Sequence, residues 1–250
     1  MQMEEAAFKA RPANSGMPKC PHCGRPLKKA TSPIGHTTIY PFIPCDCAES
    51  RAAYEAMEHE KEEEEARSAA ERHEKRLDAA GIPKRFRGLS LDVRQYVKTI
   101  KDRRSLILSG NIGTGKTSLA CAVAEAMIDK KSVRFTTISN INASLFDKEV
   151  SESALFRSLS DADLLVLDDL DKGKLGEWSA CHIYRVINQR YEDCKPIVVT
   201  MNCSMSELTR KLTVKGDATT AKAIVSRLYE MSGGSIINYC GGDKRVAKYG

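Results

Sequence analysis

The eight residues from Gly110 to Thr117, GNIGTGKT, place three glycines, a lysine and a threonine in an order suited to holding a polyphosphate. Such a cradle needs backbone N–H groups turned inward, glycines that let the chain close around the anion, and a helix N-terminus behind it. Gly110, Gly113 and Gly115 meet the backbone requirement, with Asn111, Ile112 and Thr114 between them and Ser118 completing the contact set. Lys116 is placed to reach the β- and γ-phosphates and the Thr117 hydroxyl to hold Mg²⁺. An apolar run precedes the motif and a helical pattern follows it, so this is a complete Walker A motif, and the ligand it implies is ATP.

Further along, LLVLDDL ends an apolar run on Asp168 and Asp169. Asp168 is expected to orient Mg²⁺, and Asp169 to polarise an attacking water. Beyond the next apolar run lie Thr200 and Asn202. Asn202 could steady that water or could cap the SMSEL helix that follows. Arg227, in AIVSRLYE, reads on residues alone as a solvated or salt-bridged helical arginine.

A second chemistry is written near the start. Cys20-Pro-His-Cys23-Gly and Cys45-Asp-Cys47 offer four thiolates in two close pairs, enough to close a tetrahedral Zn²⁺ shell with Gly24 in the turn beneath it. The second pair has one intervening residue in place of the usual two, and His22 and His36 are possible substitutes. A redox CxxC would need a thioredoxin-like βαβ setting that this stretch lacks.

The elements that must position these groups fall into three zones. Residues 1–47 are rich in Pro, Gly and Cys, too small a region to fold without a staple. Residues 48–80 are almost entirely Ala, Glu, Lys and Arg, a strong helix pattern ending at Gly81, and predict a charged, solvated helical linker. Residues 81–250 alternate strands (Ser105–Ser109, Val133–Ile138, Leu164–Asp168, Ile197–Met201, Ser235–Tyr239) with helices (Thr117–Lys130, Trp178–Tyr191, Ala221–Met231). That alternation predicts an α/β fold with a mostly parallel sheet covered on both faces. Trp178 reads as a packing residue of its helix.

The 250-residue chain is 42% hydrophobic and 29% charged, a globular composition and not a disordered one. It starts without the basic and apolar regions of a secretory signal, and no apolar stretch is long enough to cross a bilayer, so a soluble, cytoplasmic protein with no membrane partner is expected. Of the nine cysteines, Cys121, Cys181, Cys194 and Cys203 fall in apolar or helical patterns and are expected to pack as reduced, small hydrophobes. The net charge of +6, with residues 48–80 acidic and the remainder more basic than the total suggests, is compatible with a nucleic-acid partner.

Taken together, the Walker A motif, LLVLDDL, INQRYEDCKPIVVTMN and IVSRLYEMSGG resemble the AAA+ ATPases of the DnaC/DnaI helicase-loader and IstB group, from about Gly81 onward. GIPKRFRG resembles the entry sequence of the same group. The resemblance implies that Asn202 is the sensor I residue and that Arg227 is an arginine finger completing a neighbouring subunit's ATP site, hence a self-oligomer. It also implies that Ser139–Leu159, which includes Lys148, Glu149 and Arg157, is the helical insert facing single-stranded DNA. Arg245 holds a family-typical C-terminal position without an assigned role. Asp169 stands where many AAA+ proteins carry Glu, which implies slow hydrolysis. DnaI-type loaders carry a zinc module that grips the replicative DNA helicase, whereas IstB-type helpers usually lack one. The expected function is therefore ATP-dependent, slow and partner-regulated helicase loading in DNA replication, bacterial or phage. An IstB-like transposition helper and an ATP-binding adaptor with little hydrolysis are the alternatives.

Overall fold

The computed structural model describes residues 18–28, 43–147, 150–172 and 177–243, without the side chains of residues 177 and 178. His36, Lys148, Glu149, Arg245 and the Trp178 side chain thus lie outside the described residues. Among those described, no helix is long and apolar enough to cross a membrane. Two compact units meet at the Ala70–Glu71 boundary.

In the first unit, Cys20 and Gly24 close a knuckle in which the Cys20 N–H donates to the Arg25 carbonyl at 2.8 Å and the Gly24 N–H to the Cys20 carbonyl at 2.9 Å. Helix α1 then runs Ala48–Ala80, the bounds read from the sequence. Its stretch within this unit is almost wholly exposed, as a Glu-, Lys- and Arg-rich helix should be.

The second unit begins inside α1, and here the helix is no longer solvated all round. Leu77 and Ala80 are buried, because the last turns pack into the core of this unit. The helix stops at Gly81, whose φ of +81° suits glycine, and a Cβ there would come within 2.8 Å of the Phe135 carbonyl oxygen. His73 Nδ1 lies 3.1 Å from Asp129 and Nε2 3.7 Å from Glu125, while Arg76 donates to the Asp129 carbonyl at 2.9 Å. Hydrogen bonding to Asp129, with Glu125 nearby, raises the His73 pKa above its ordinary value. A raised histidine contributes stability that is fully present below about pH 6.5 and is lost as pH rises through the folded value. His73→Gln is accordingly expected to cost about 0.5–1 kcal/mol at pH 6 and much less at pH 9, measured by urea unfolding at both pH values.

Beyond a 3-10 turn at Lys84–Phe86, the remaining elements are α2 (Arg94–Lys101), β1 (Leu106–Gly110), α3 (Lys116–Glu125), β2 (Val133–Thr137), α4 (Ile138–Phe146), α5 (Glu152–Asp161), β3 (Leu164–Asp168), α6 (Glu177–Glu192), β4 (Ile197–Met201), α7 (Met205–Leu212), α8 (Thr219–Met231) and β5 (Ile236–Tyr239). The five strands form one sheet in the order β2-β3-β4-β1-β5, and every pairing is parallel. Side chains alternate between the two faces: Leu165, Leu167, Ile197 and Val199 join the core beneath α4–α8. Leu164, Val166, Val198 and Leu108 join the one shared with α2, α3 and the end of α1. Both faces being covered explains why the strands read as unbroken apolar runs.

Several bounds differ from the sequence reading: β1, β5, α6 and α8 shift by one or two residues, and two further ends have a visible cause. Helix α3 ends near Glu125, short of Lys130, because Met127 and Ile128 donate to carbonyls three residues back and the chain tightens into turns. Strand β2 ends at Thr137, whose side chain accepts from the Asn140 N–H and caps α4. Helix α2, eight residues long with Ile100 buried and Tyr96 and Val97 packed against the core, was not singled out from the sequence. Among the cysteines expected to pack as hydrophobes, Cys121 and Cys203 are buried, whereas Cys181 and Cys194 are exposed.

Candidate functional site

Strand β1 lies between β4 and β5, so the loop that leaves it opens at the carboxyl ends of the parallel strands, where open α/β sheets bind their ligands. Gly110 turns that loop at φ +135° with the Tyr239 carbonyl packed against its Cα, and any side chain there would collide with β5. The loop then feeds directly into α3 at Lys116. A cavity of about 310 Å³ is lined by Ile112, Gly113, Thr114, Gly115, Lys116, Thr117 and Ser118 of the loop and by Asp169, Lys172 and Asn202 from beyond β3 and β4. The loop residues from Ile112 to Ser118, the second acid and the asparagine named from the sequence are therefore brought to one cavity, whereas Gly110 and Asn111 are not among its lining residues. Its remaining wall is Arg85, Phe86 and Leu89, which the sequence reading did not single out. Their mixed apolar and cationic surface suits a flat base, and the signal that could have found them was GIPKRFRG, which holds Arg85 and Phe86 and directly precedes Leu89.

Lys116 is buried and donates to the carbonyls of Gly110 at 2.8 Å and Asn111 at 2.6 Å. Burial lowers its pKa, partly offset by Asp169 and Asp171, so an anion in the loop would meet a cation that has given up most of its water. Asp168, at the last position of β3, accepts the Thr200 hydroxyl at 2.6 Å and the Thr117 hydroxyl at 2.9 Å. Burial raises its pKa and these two hydroxyl donors counter that. The paired oxygens of Thr117 and Asp168 beside the phosphate loop form a hard-donor set of the kind Mg²⁺ takes.

Asp169 adopts φ +53°, a left-handed conformation that aspartate tolerates better than most side chains. Its N–H donates to the Thr200 hydroxyl at 2.8 Å, which turns its carboxylate toward the cavity. Asn202 Nδ2 donates to Asp169 at 3.2 Å, and the Asn202 backbone N–H donates to the buried Asp171 at 2.8 Å. Helix α7 is capped by Ser204, with Glu207 completing a capping box, so the alternative in which Asn202 caps that helix is replaced by Ser204. Lys211 of α7 is 2.8 Å from Asp171 and holds that carboxyl below the usual range against its burial.

Arg227 is not among the residues lining this cavity. Its Nε donates to Asn188 at 2.8 Å, and its guanidinium lies over the rings of Tyr184 and Tyr191 at 5.1 and 5.5 Å. It is a braced cation on the α6–α8 surface.

In the first unit, the sulfurs of Cys20, Cys23, Cys45 and Cys47 all lie within 4.8 Å of one another. Zn–S bonds of about 2.3 Å in a tetrahedron put sulfurs about 3.8 Å apart; Cys20–Cys47 and Cys23–Cys45 stand at 3.8 and 3.4 Å. The donor set therefore fits zinc, without a histidine. The Arg25 backbone N–H and guanidinium bring the Cys23 thiol down to about 6, while burial pushes Cys47 up to about 12.

A family model described as IstB-like ATP binding protein matches residues 48–240. The replicative helicase loader DnaC of Escherichia coli (strain K12) is 32% identical over 125 residues, covering 48% of this chain and 51% of the relative. The putative ATP-binding protein of insertion sequence IS21 from Pseudomonas aeruginosa is 31% identical over 137 residues, covering 53% and 50%. The chain thus spans about half the length of the curated relatives it matches. Among solved structures, that of the DnaC helicase loader superposes with a TM-score of 0.52 at 24% identity, covering 63% of this chain and 100% of the other. The sheet and its flanking helices are the AAA+ P-loop fold.

Proposed function

Because the chain belongs to the family of IstB-like ATP-binding proteins, we propose that it is an ATPase that loads a replicative DNA helicase onto single-stranded DNA. The observation that carries the choice of partner is the four-cysteine cluster ahead of the nucleotide unit. A small module stapled by zinc is what the resemblance to DnaI-type loaders implies and what IstB-type helpers usually lack, so the cluster favours a helicase partner. Similarity to the E. coli loader supports the same reading.

In this reading the loop from Gly110 to Ser118 wraps the phosphates and Lys116 neutralises charge on the β- and γ-groups. Thr117 and Asp168 would hold Mg²⁺, which would supply positive charge to offset that of the phosphates. Asn202 steadies a water against Asp169. As the water oxygen bonds to the γ-phosphorus, the bond to the bridging oxygen breaks, ADP departs with that electron pair, and the water proton passes through Asp169 to solvent. Arg227, which is braced by Asn188 and does not line its own cavity, would in this reading serve a neighbouring subunit's site in a self-oligomer. The short Asp169 side chain, held by Asn202, suits slow turnover that a partner can accelerate.

The test is capture of the host's replicative helicase by the full chain under ATP, against Cys20→Ser/Cys47→Ser and a zinc chelator. Expected is about one zinc per chain, lost in the double variant together with helicase capture, while ATP binding persists. The 31% identity to the IS21 protein favours one other reading, a transposition helper. ATP-driven assembly on DNA with no helicase capture by the intact chain would establish that reading in place of the loader.

A further inference from the structure

Within the turn after β3, Asp168 and Asp169 have roles in the reaction, and Asp171 braces Asn202. Lys172 has none, although its side chain lines the same cavity as Lys116 and Thr117. Its ammonium is 2.8 Å from one Asp169 oxygen, while Asn202 donates to the other at 3.2 Å. In the ligand-free chain the carboxylate that should meet the water is thus shared between a cation and an amide.

The geometry makes this pairing easy to exchange. The left-handed turn at Asp169 brings the Lys172 N–H to the Asp169 carbonyl at 2.9 Å, so both side chains leave one tight turn on the cavity side. The Lys172 side chain is 51% exposed and that of Asp169 29%, and an ion pair so placed contributes little. A terminal phosphate carries more charge than one carboxylate and accepts charge-assisted hydrogen bonds from an ammonium. Lys172 and Asn202 both contact Asp169, and all three line the cavity with the phosphate loop. In the ATPase reading Asp169 and Asn202 hold the attacking water, so Lys172 beside them is where a third phosphate would lie and where a diphosphate would leave a gap.

We propose that Lys172 is a γ-phosphate contact: its ammonium passes from Asp169 to the terminal phosphate when a triphosphate binds. This makes the site prefer ATP over ADP and frees Asp169 for the water. Lys172 stays protonated throughout, so the proton balance of hydrolysis is unchanged. The proposal rests on the ATPase reading of the site.

The experiment compares the intact chain with Lys172→Met and Lys172→Arg. It measures affinity for Mg²⁺-AMP-PNP and Mg²⁺-ADP by titration calorimetry, and kcat and KM for ATP. Lys172→Met is expected to weaken AMP-PNP binding about tenfold and to leave ADP binding within about twofold, as loss of one hydrogen bond to a charged group should. Lys172→Arg should keep most of the preference. Equal losses for both nucleotides, or no loss for either, would overturn the proposal. So would a rise in kcat with an unchanged affinity ratio, which would make Lys172 only a brace on Asp169. If the parent chain binds neither nucleotide, the ATPase reading fails first and takes this inference with it.

Discussion

Asp168→Asn is expected to cut ATP turnover by about a hundredfold or more while leaving the ligand-free chain as stable as the parent. Asp168 is 7% exposed and holds two hydroxyl donors, Thr200 at 2.6 Å and Thr117 at 2.9 Å, on the same oxygen. An asparagine of the same shape keeps an oxygen for both and removes a charge that burial disfavours. What it cannot replace is the negative charge that would hold Mg²⁺ beside Thr117. Urea unfolding without ligand and the Mg²⁺ dependence of turnover separate the two effects. Turnover near the parent level would remove Asp168 from the metal site; a large stability loss would make it a structural hub instead. Asp168→Ala provides the contrast, since both hydroxyls lose their acceptor and the chain should also be destabilised, by about 1–3 kcal/mol.

Arg190→Met is expected to produce the largest loss of stability, on the order of 4 kcal/mol, with catalysis by the folded fraction retained. Arg190 is fully buried at the end of α6. It donates to the carbonyls of Leu159, Ser160 and Ala162 at 2.9, 3.1 and 2.8 Å and to that of Pro196 at 2.7 Å, with Asp163 at 3.4 Å. One guanidinium thus gathers the last carbonyls of α5 and the turns that lead into β3 and β4. Burial brings its pKa down to about 10, so it remains charged at neutral pH. Methionine would fill the space and leave those carbonyls without donors. Lysine offers donors on a single nitrogen and cannot span both sides of the fork, so Arg190→Lys should recover only part of the loss. The thermal midpoint is expected to fall by about 10 °C in Arg190→Met. Because these carbonyls lie at the opening ends of β3 and β4, away from Asp168 and Asn202, the nucleotide affinity of folded protein should stay near the parent value. A midpoint within a degree or two of the parent would refute the argument.

These two residues mark where the sequence was legible and where it was not. Asp168 could be found because chemistry demanded an acid after a buried strand, and LLVLDD supplies the strand and the acid together. Arg190 sits in a helical run where a charged residue reads as surface. Nothing local reveals that five carbonyls, four from residues 159–163 and one from Pro196, converge on it. The same limit applies to Arg85, Phe86 and Leu89, which reach the cavity only because the chain after α1 is carried over the start of α3. It applies to Cys181 and Cys194 as well, whose exposure depends on which helix face and which turn meet the core.

By itself, the sequence determined the phosphate loop, the strand that precedes it, the acids at the end of β3, the cysteine set and the bounds of α1. Each is specified by neighbours a few residues away: glycines that permit the turn, a period of two or of 3.6, a helix composition stopped by Gly81. Only the tertiary structure decided that Asn202 faces Asp169 while Ser204 caps α7, and that the last turns of α1 belong to the nucleotide unit. It alone placed Lys172 on the Asp169 carboxylate and kept Arg227 out of the cavity that Asp169 lines. Those outcomes depend on strand order and on groups far apart in the chain meeting across it, and no local pattern encodes such distances.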